Sequence, residues 1–541
     1  MKSKKYYVHI LFLILSVLGI WIITLGNEPV MKTSLQGLDA AFHFSRIASL
    51  SDIWTSPVNF DYFNHVGSMV NLFYPWLFVY PMYFIYLITQ NLVLSFYLYF
   101  MLMTFVTLEI TYFCAKRMNI TGKYALLAAI LYAFSLCRIS NIYFRVAIGE
   151  AVAMTFLPLV VYGCYELFFN NAKRWGYLTA GMVCIIYSHV ISTLLAAILV
   201  LFFFVGSMVL KKWNKQRGIS FLKCIAWSIV LGLGFFGPML EMMVTTKISV
   251  PMVYHLLESA VSPQDLVLQS LNNNAGSVNT YGLIFLILLI FLGINYQKLN
   301  SWYRLCTIGI GIFTLLATKL FPWDFFQSSL MMIQFPWRFL AIGTVLIAFS
   351  ASYLCMQFES SSSHLWLIFI ASTLFLQTSL LQNIKTVDGT TVGYTNEQVQ
   401  QLIRGNQGFN GDGDYLPKEG TEDFPMIKAQ KIKEKNQWKE GNCSFTATTA
   451  TFEVQAKQNG TIILPIYHYI GEKVEYNGKP ISVQKVENGA TKVPIKKGSN
   501  QYIIRYNYTL WARICQMISG GSLLVAFYLL MKKYNDKKRG L

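Results

Sequence analysis

Residues 37–47 read Gly37-Leu-Asp-Ala-Ala-Phe-His-Phe-Ser-Arg-Ile47 and follow the first apolar run of the chain. In a helix, Asp39, His43 and Arg46 are spaced i, i+4 and i+7, which places them on one face. A carboxylate, an imidazole and a guanidinium on one face can take up a proton and bind a phosphate group. The same spacing is typical of an amphipathic helix on the membrane surface with a local polar network, so spacing alone leaves both interpretations open.

The composition is that of a membrane protein. Of the 541 residues, 54% are hydrophobic and only 13% are charged, whereas soluble domains carry about 25% charged residues. The formal net charge of +18 then indicates cytoplasmic loops rich in Lys and Arg, and the sequence shows no nucleic-acid-binding motif. The nine cysteines form no Cys-x-x-Cys or His/Cys cluster, and Cys443 has no nearby partner. This pattern argues against a zinc site and against a disulfide-stapled domain.

Apolar runs separated by basic loops predict about twelve membrane spans. The first is an uncleaved anchor from Tyr6 to about Leu25 with a basic cytoplasmic start. The other predicted spans are residues 91–114, 122–138, 149–169, 175–188, 190–210, 219–243, 279–296, 302–319, 336–357, 363–383 and 508–531. Residues 70–89 are also apolar, but a crossing there would place the basic loops 115–123 and 170–175 outside. We therefore predict a re-entrant or interfacial helix for them, with both termini in the cytoplasm of a multi-pass plasma-membrane protein.

The C-terminal region has a different pattern. From residue 443 apolar and polar residues alternate, and Asn477-Gly478 is typical of a β-hairpin turn. The Asp-rich stretch 408–414 lacks the spacing of a calcium-binding loop. The sequence thus predicts an all-α polytopic membrane fold with a small extracytoplasmic antiparallel β domain. The predicted domains are a transmembrane domain over residues 1–383 with a long first outer loop over 27–90, an outer linker over 384–442, the β domain over 443–507, and a final span with a basic cytoplasmic tail over 508–541.

Further ionisable residues fall on the predicted outer side. They are Arg145 and Glu150 between two spans, His189 where two half-length apolar runs meet, and Trp337-Arg338 at the start of a span. Each has a purely structural alternative, because Arg338 can anchor a helix end, Glu150 suits a helix N-terminus, and His189 can serve in helix packing. Ionisable residues gathered on one side of a membrane protein nevertheless indicate a functional site.

These residues give the chain a resemblance to a known family. It resembles the GT-C class of membrane glycosyltransferases, and more closely the bacterial membrane proteins described as related to pyruvoyl-tetrahydropterin synthase and their teichoic-acid-glycosylating relatives. The matching pieces are Asp39-Ala-Ala-Phe-His-Phe-Ser-Arg-Ile47, Tyr74-Pro75, Arg145-Val-Ala-Ile-Gly-Glu150, Ser188-His189, Phe335-Pro-Trp-Arg338, Leu464-Pro-Ile and Val474-Glu-Tyr-Asn-Gly-Lys479. The synthase chemistry is not expected, because the sequence has no His cluster for a zinc-bound pterin site.

The resemblance implies a sugar donor linked to polyprenyl phosphate and an envelope polymer or lipid as acceptor, at the outer face. It implies that Asp39 is the general base and Glu150 the second acidic residue of the site. The substrate-binding residues on this view are His43, Arg46, Arg145, His189, Trp337 and Arg338. Asp39 and Glu150 could hold Mg²⁺ or Mn²⁺, although the class also works with arginine alone. The paired acidic motif and the WWD-like motif of oligosaccharyltransferases are missing, which argues against a peptide acceptor.

Two other functions stay open at this point. A transporter or flippase of a lipid-linked saccharide would be indicated by an inverted repeat, and we find none. A non-catalytic scaffold whose β domain binds glycans or partner proteins would tolerate the loss of Asp39 and Glu150. The sugar, the acceptor and the metal dependence do not follow from the sequence.

Overall fold

The computed structural model describes residues 3–24, 31–33, 39–249, 253–358, 392–404, 414–418, 422–435, 437–485 and 489–538. The chain divides into two compact units. The first comprises residues 1–40, 77–228 and 253–397, and the second comprises residues 41–76, 229–252 and 398–541.

The first unit is helical. Its helices are Ser3–Thr24, Tyr80–Thr89, Leu92–Arg117, Lys123–Ala133, Leu136–Ile139, Ile148–Cys164, Gly176–Ile186, Val190–Val209, Leu256–Ser259, Pro263–Leu271, Leu283–Ile294, Ser301–Ala317, Trp323–Leu330 and Leu340–Gln357. Polar residues mark their ends, as in Leu92–Arg117, where the Asn91 side chain accepts the N–H of Leu94. This helix ends on Lys116 and Arg117, which suit the negative end of the helix dipole. Strands β1 (Met31–Thr33) and β2 (Val392–Tyr394) pair antiparallel in the same unit.

Three helices cross the boundary between the units along the chain, namely Asp39–Ala48, Lys215–Thr245 and Asn396–Arg404. The second unit also contains the short helices Val70–Phe73 and Phe424–Lys428 and the long C-terminal helix Leu510–Lys538. Within this unit, Ser519 of the C-terminal helix donates to the carbonyl of Leu231 at 2.5 Å. A Cβ at Gly237 would lie 2.5 Å from Cys515 Sγ, so only glycine lets the two helix backbones approach this closely.

Seven helices among the described residues are long and apolar enough to cross a membrane. They are Leu92–Arg117, Lys123–Phe144, Ile148–Phe169, Val190–Val209, Lys215–Thr245, Pro336–Gln357 and Leu510–Leu529, and shorter apolar helices are Tyr6–Ile20, Leu283–Ile294 and Ser301–Ala317. The coarse prediction of a mostly helical membrane protein is confirmed, but the count of twelve spans is not. Residues 175–188 form only the 11-residue helix Gly176–Ile186, and the predicted span 363–383 lies outside the described residues.

Residues 70–89 do not form one continuous helix. They form Val70–Phe73 and Tyr80–Thr89, of 4 and 10 residues. A crossing helix needs about 20 residues. Neither helix alone is therefore long enough to span, and the re-entrant or interfacial placement stays a prediction.

The rest of the second unit is a two-sheet β region. Its strands are β3 (Ile432–Glu434), β4 (Gln437–Lys439), β5 (Asn442–Phe445), β6 (Ala450–Ala456), β7 (Gly460–Tyr467), β8 (Glu472–Tyr476), β9 (Lys479–Ile481), β10 (Gln484–Lys485), β11 (Ala490–Ile495) and β12 (Gly498–Tyr506). They form two five-stranded sheets, with the orders β10-β11-β7-β3-β4 and β5-β6-β12-β8-β9. All the strand pairs within these two sheets are antiparallel.

Alternation along these strands builds a core between the sheets. Tyr502 and Ile504 of β12 are fully buried, as are Ile462 and Leu464 of β7, because every second side chain faces the same side of a strand. The predicted hairpin joins β8 to β9: Asn477 has φ +46° and Gly478 φ +77°, the two left-handed residues that a tight hairpin requires.

Candidate active site

Glu150 lies in the first turn of the helix Ile148–Cys164, and two arginines hold its carboxylate. Arg145 Nη1 donates to Glu150 Oε2 at 2.7 Å, and Arg338 Nε donates to Glu150 Oε1 at 2.7 Å. Glu150 is 6% exposed and Arg338 is 8% exposed. In this buried setting, charge-assisted hydrogen bonds are strong, and the helix N-terminus adds a further favourable field for the carboxylate.

The backbone between Arg145 and Glu150 is strained. A π-helical turn, Ser140–Phe144, precedes Arg145, and Val146 has φ +56°. A β-branched residue rarely adopts a positive φ, and holding one there costs about 1–3 kcal/mol. The sharp turn brings the Arg145 side chain back to a carboxylate only five residues further along the chain. Strain of this kind is typical of sites whose geometry is held for function.

Asp39 is the first residue of the helix Asp39–Ala48. Its Oδ2 atom lies 4.0 Å from Arg145 Nη2, and its side chain is 50% exposed. The pKa of Asp39 is raised above the ordinary aspartate value because the partial burial of its side chain desolvates and so disfavours the charged form. Arg145 and Arg338 act in the opposite direction and Glu150 reinforces the increase. Asp39 is thus the accessible carboxyl group of the cluster, and it is more basic than an ordinary aspartate.

Aromatic rings cover the arginines. The Trp337 ring centroid lies 4.3 Å from Arg145 Cζ and 5.6 Å from Arg338 Cζ. Phe335 stacks on Trp337 with ring centroids 5.4 Å apart, and Tyr254 lies 4.5 Å from Phe335. Cation–π contacts of this kind stabilise a guanidinium and fix its plane. The structure thus brings together four predicted residues of the first unit, Asp39, Arg145, Glu150 and Arg338, with the predicted Trp337 beside them.

Two residues that position the arginines were not predicted. Asn141 Oδ1 accepts Arg145 Nη1 at 2.5 Å, and Arg338 Nη1 donates to Gln334 Oε1 at 3.1 Å and to the Ile333 carbonyl at 2.7 Å. Asn141 is four residues before Arg145 and Gln334 four before Arg338. The i, i+4 spacing is the one feature of the sequence that could have pointed to Asn141 and Gln334. Such spacing is common in helices, so without the observed contacts it does not identify residues that position an arginine.

His189 takes part in helix capping. The helix Gly176–Ile186 ends just before it, and His189 is the N-cap of Val190–Val209, with Nδ1 accepting the N–H of Ser192 at 3.2 Å. The predicted interruption between the two apolar runs is therefore present. His189 is 5% exposed and lies close enough to Glu150 to act electrostatically on its carboxylate. A role in binding substrate stays a prediction.

His43 and Arg46 belong to the second unit. Arg46 is 1% exposed, donates to the carbonyls of Tyr74 and Pro75 at 3.3 and 2.9 Å, and lies 3.2 Å from His43 Nδ1. Its Cζ is 3.9 Å from the Tyr74 ring centroid. Arg46 thus ties the helix to the Tyr-Pro segment inside the unit, and its predicted role at a donor phosphate stays a prediction.

The donor set does not suit the Mg²⁺ or Mn²⁺ expected between Asp39 and Glu150. Both oxygens of Glu150 accept from guanidinium groups, which repel a dication. Among the described residues there is no group of three or more His, Cys, Asp and Glu side chains placed to hold a metal ion. A divalent ion bound through carboxylates requires several oxygen ligands, so Asp39 and Glu150 as placed here do not fit such an ion.

The sequence comparison identifies the family. A family model described as "6-pyruvoyl-tetrahydropterin synthase related domain; membrane protein" matches residues 72–384, more than half of the chain. The chain belongs to this family. The matched segment contains Arg145, Glu150, His189 and Arg338 and begins after Asp39. The description of this family as a membrane protein agrees with the helices described above.

The structural comparison gives a weaker similarity. The chain is similar to a solved structure titled "Single-Particle Cryo-EM Structure of Arabinofuranosyltransferase AftD from Mycobacteria", with 13% sequence identity and a TM-score of 0.44. The match covers 69% of this chain but only 27% of that chain. No curated protein is significantly similar in sequence.

Proposed function

We propose that this protein is a membrane glycosyltransferase that moves a sugar from a polyprenyl-phosphate-linked donor to an envelope polymer or lipid at the outer face of the plasma membrane. The proposal rests on the cluster of the buried Arg338 and the mostly buried Arg145 around Glu150, with the half-exposed Asp39 4.0 Å from Arg145. The cluster pairs oriented cations with an accessible base.

The arginines supply the stabilisation of the leaving group. When the sugar leaves, the polyprenyl phosphate gains one negative charge, and planar guanidinium groups are well suited to phosphate oxygens. Arg145 and Arg338 are already oriented by Glu150 and Trp337. Donors that are fixed before the reaction stabilise developing charge without reorganising.

Asp39 supplies the base. It takes the proton of the acceptor hydroxyl while that oxygen forms a bond to the anomeric carbon. The bond between the anomeric carbon and the phosphate oxygen breaks, and its electron pair stays on the phosphate. Before the reaction the two carboxylates balance the two guanidiniums. Once Asp39 holds the proton, the cluster carries one net positive charge as the phosphate gains its negative charge, so the two charge changes offset each other.

A non-catalytic role is the second candidate, and one observation favours it. Glu150 accepts from both arginines, an arrangement that also serves to lock two helix ends together. In a scaffold or glycan-binding protein this ion-pair cluster is structural, and the charge of Asp39 is not needed. The helix break before His189 is the observation that would favour a transporter, but His189 caps the following helix there, which accounts for the break without transport.

The test uses the leaving group as readout, because the acceptor is not identified. Purified protein is supplied with lipid-linked sugars extracted from labelled cells of the source organism, together with an envelope fraction as acceptor, and released polyprenyl phosphate is measured. We expect Asp39→Asn to slow release by about 10²–10⁴-fold, the usual contribution of a general base. The matched control Asp61→Asn removes an exposed carboxylate from the same predicted outer loop and should retain wild-type rates. Equal rates for the two variants would exclude Asp39 as the base.

A further inference from the structure

The two-sheet region contains a cavity of about 330 Å³. Its lining comes from strands β3, β7 and β11 of one sheet and from the turns beside them. Small-ligand sites typically have volumes of roughly 300–1,000 Å³, so the cavity is large enough for a small ligand or a short segment of a polymer. None of the residues assigned above to sugar transfer lines it.

Strand register places two lysines across the cavity floor. Lys433 of β3 and Lys492 of β11 each pair with Ile463 of the central strand β7. The three side chains therefore share one face, and the lysine backbones lie about 10 Å apart, twice the spacing of neighbouring strands. Ile462 and Leu464 point to the opposite side, into the core. The cavity floor is thus the half-buried Ile463 side chain, with the positively charged side chains of Lys433 and Lys492 on either side of it.

The charge of the lining is positive. Lys433, Lys435 and Lys492 line the cavity together with a single carboxylate, Glu434. Lys439 pairs with Glu434 at 2.5 Å and holds the pKa of that carboxyl below its usual range. Lys433 also contacts Asp423 at 3.3 Å. The remaining positive charge favours an anionic ligand.

The uncharged lining is suited to hydroxyl groups. Gln458, Asn459 and Thr461 contribute amide and hydroxyl side chains at the cavity rim, and none of the described residues that line the cavity is aromatic. Stacking on aromatic rings is the usual way to hold nucleic-acid bases, so a nucleic-acid ligand is not favoured. Amides and hydroxyls beside lysines and two isoleucines match an anionic, hydroxyl-rich chain.

We propose that this cavity binds a segment of an anionic carbohydrate or polyol polymer, and that this polymer is the acceptor. Only its identity as the acceptor rests on the proposed function, because the cavity and its charge do not depend on transfer. Phosphodiester and carboxylate polymers share this chemistry. The β region would then hold the acceptor chain on the same protein that transfers the sugar, which raises the effective concentration of the acceptor.

The test measures binding to the full-length protein in lipid nanodiscs. The probes are fluorescent oligomers of poly(glycerol phosphate), of galacturonate and of maltose. We expect one or both of the anionic oligomers to bind, the neutral one to bind at least about tenfold more weakly, and affinity to fall with added salt because exposed charges are screened. The two anionic oligomers separate a phosphodiester ligand from a carboxylate ligand.

Charge reversal locates the site. Lys492→Glu and Lys435→Glu should each weaken anionic binding by roughly tenfold, the scale expected when an attractive charge becomes repulsive. Lys492→Arg should bind like wild type. The matched control Lys479→Glu makes the same charge change at an exposed position on the other sheet and should leave binding unchanged, with all melting temperatures compared to verify folding.

The outcomes separate this proposal from the proposed function. Asp39→Asn should bind the oligomers like wild type while failing in transfer. If Lys492→Glu and Lys479→Glu bind equally, or if the neutral oligomer binds as tightly as both anionic ones, the cavity proposal is wrong whatever the result for Asp39. Absence of binding by all three oligomers to the wild type would also overturn it.

Discussion

Arg338 Nε lies 2.7 Å from Glu150 Oε1, although the two residues are 188 positions apart in the chain. The contact joins the start of the helix Ile148–Cys164 to the segment that opens the span Pro336–Gln357. Because Arg145 binds the other oxygen of the same carboxylate, removing the charge of Glu150 takes the shared anion from the buried Arg338 and from Arg145. The cluster is therefore important for stability as well as for the proposed chemistry.

Glu150→Gln should destabilise the protein strongly. Breaking a buried ion pair by removing one partner typically costs about 3–5 kcal/mol, so we expect a clearly lower midpoint in thermal unfolding of the purified protein. Glu440→Gln is the control, since the Glu440 side chain is 81% exposed in its ion pair with Lys431 and such pairs contribute about 0–1 kcal/mol. Similar midpoints for the two variants would contradict the buried ion-pair cluster.

Arg145→Lys should impair transfer even though it keeps the positive charge. Lysine cannot reproduce a guanidinium that contacts Asn141 and Glu150 and lies against the Trp337 ring. We expect polyprenyl phosphate release to fall by about 10²-fold, the scale found when one oriented donor is removed from a reaction site. Arg117→Lys, at an exposed helix end, is the control. Wild-type release by Arg145→Lys would show that only charge matters there.

The pH dependence of transfer should reflect the raised pKa of Asp39. The carboxylate is the active form of a base, so kcat/KM should fall on acidification, with a midpoint above the ordinary value of 3.8. Arg145 lowers this pKa, so Arg145→Gln should move the acid limb to higher pH. The measurement is kcat/KM against pH for both proteins. An acid limb that does not move, or moves to lower pH, would argue against Asp39 as the titrating group.

Chelation should leave transfer unchanged. The oxygens of Glu150 are engaged by arginines, and the part of the chain that the structure describes has no cluster of three metal-ligand side chains. We expect release of polyprenyl phosphate to persist after dialysis against EDTA, with and without added Mg²⁺ or Mn²⁺. Loss of activity in EDTA, restored by one of these ions, would support the metal expected from the sequence.

Thiol labelling tests the predicted orientation in the membrane. A cysteine at Lys123 should be protected from an impermeant reagent added to intact cells, and a cysteine at Lys479 should react. Both positions are exposed on the protein surface. The control is the protein without an added cysteine, because its own Cys443 is partly exposed on β5 and can react with the reagent. Labelling at Lys123 from outside would contradict this orientation and would place Arg145 and Glu150 on the cytoplasmic side.

Local patterns in the sequence predicted many elements of the fold. Apolar length predicted the spans around Leu92–Arg117 and Val190–Val209, and the Asn477-Gly478 pair predicted the β8–β9 hairpin, because these features depend on neighbouring residues only. The sequence pattern did not indicate where the β region begins. Strands β3 (Ile432–Glu434) and β4 (Gln437–Lys439) both come before the predicted start at residue 443. Strand β4 is the edge strand of its sheet, next to β3, and each of these three-residue strands carries a lysine, so no clear alternation of apolar and polar residues is visible.

The site depends more on distant contacts. From the sequence, Arg145, Glu150 and Arg338 were predicted to lie on one side of the membrane, because each is near the end of a predicted span. It did not predict that one carboxylate binds both arginines, since nothing local links Arg338 to a residue 188 positions away. The positive φ of Val146 was also unpredictable, because a valine in a left-handed conformation contradicts its own preference and is held by surrounding contacts.

The most direct test of the transferase proposal is made in cells. Cells of the source organism that lack this protein are complemented with wild type, Asp39→Asn or Asp61→Asn at matched expression, and the glycan content of the envelope polymers is measured. We expect a sugar decoration of the envelope polymers to be missing in cells without the protein. It should return with wild type and with Asp61→Asn, and it should stay missing with Asp39→Asn. Full restoration by Asp39→Asn would contradict it and would favour a non-catalytic protein.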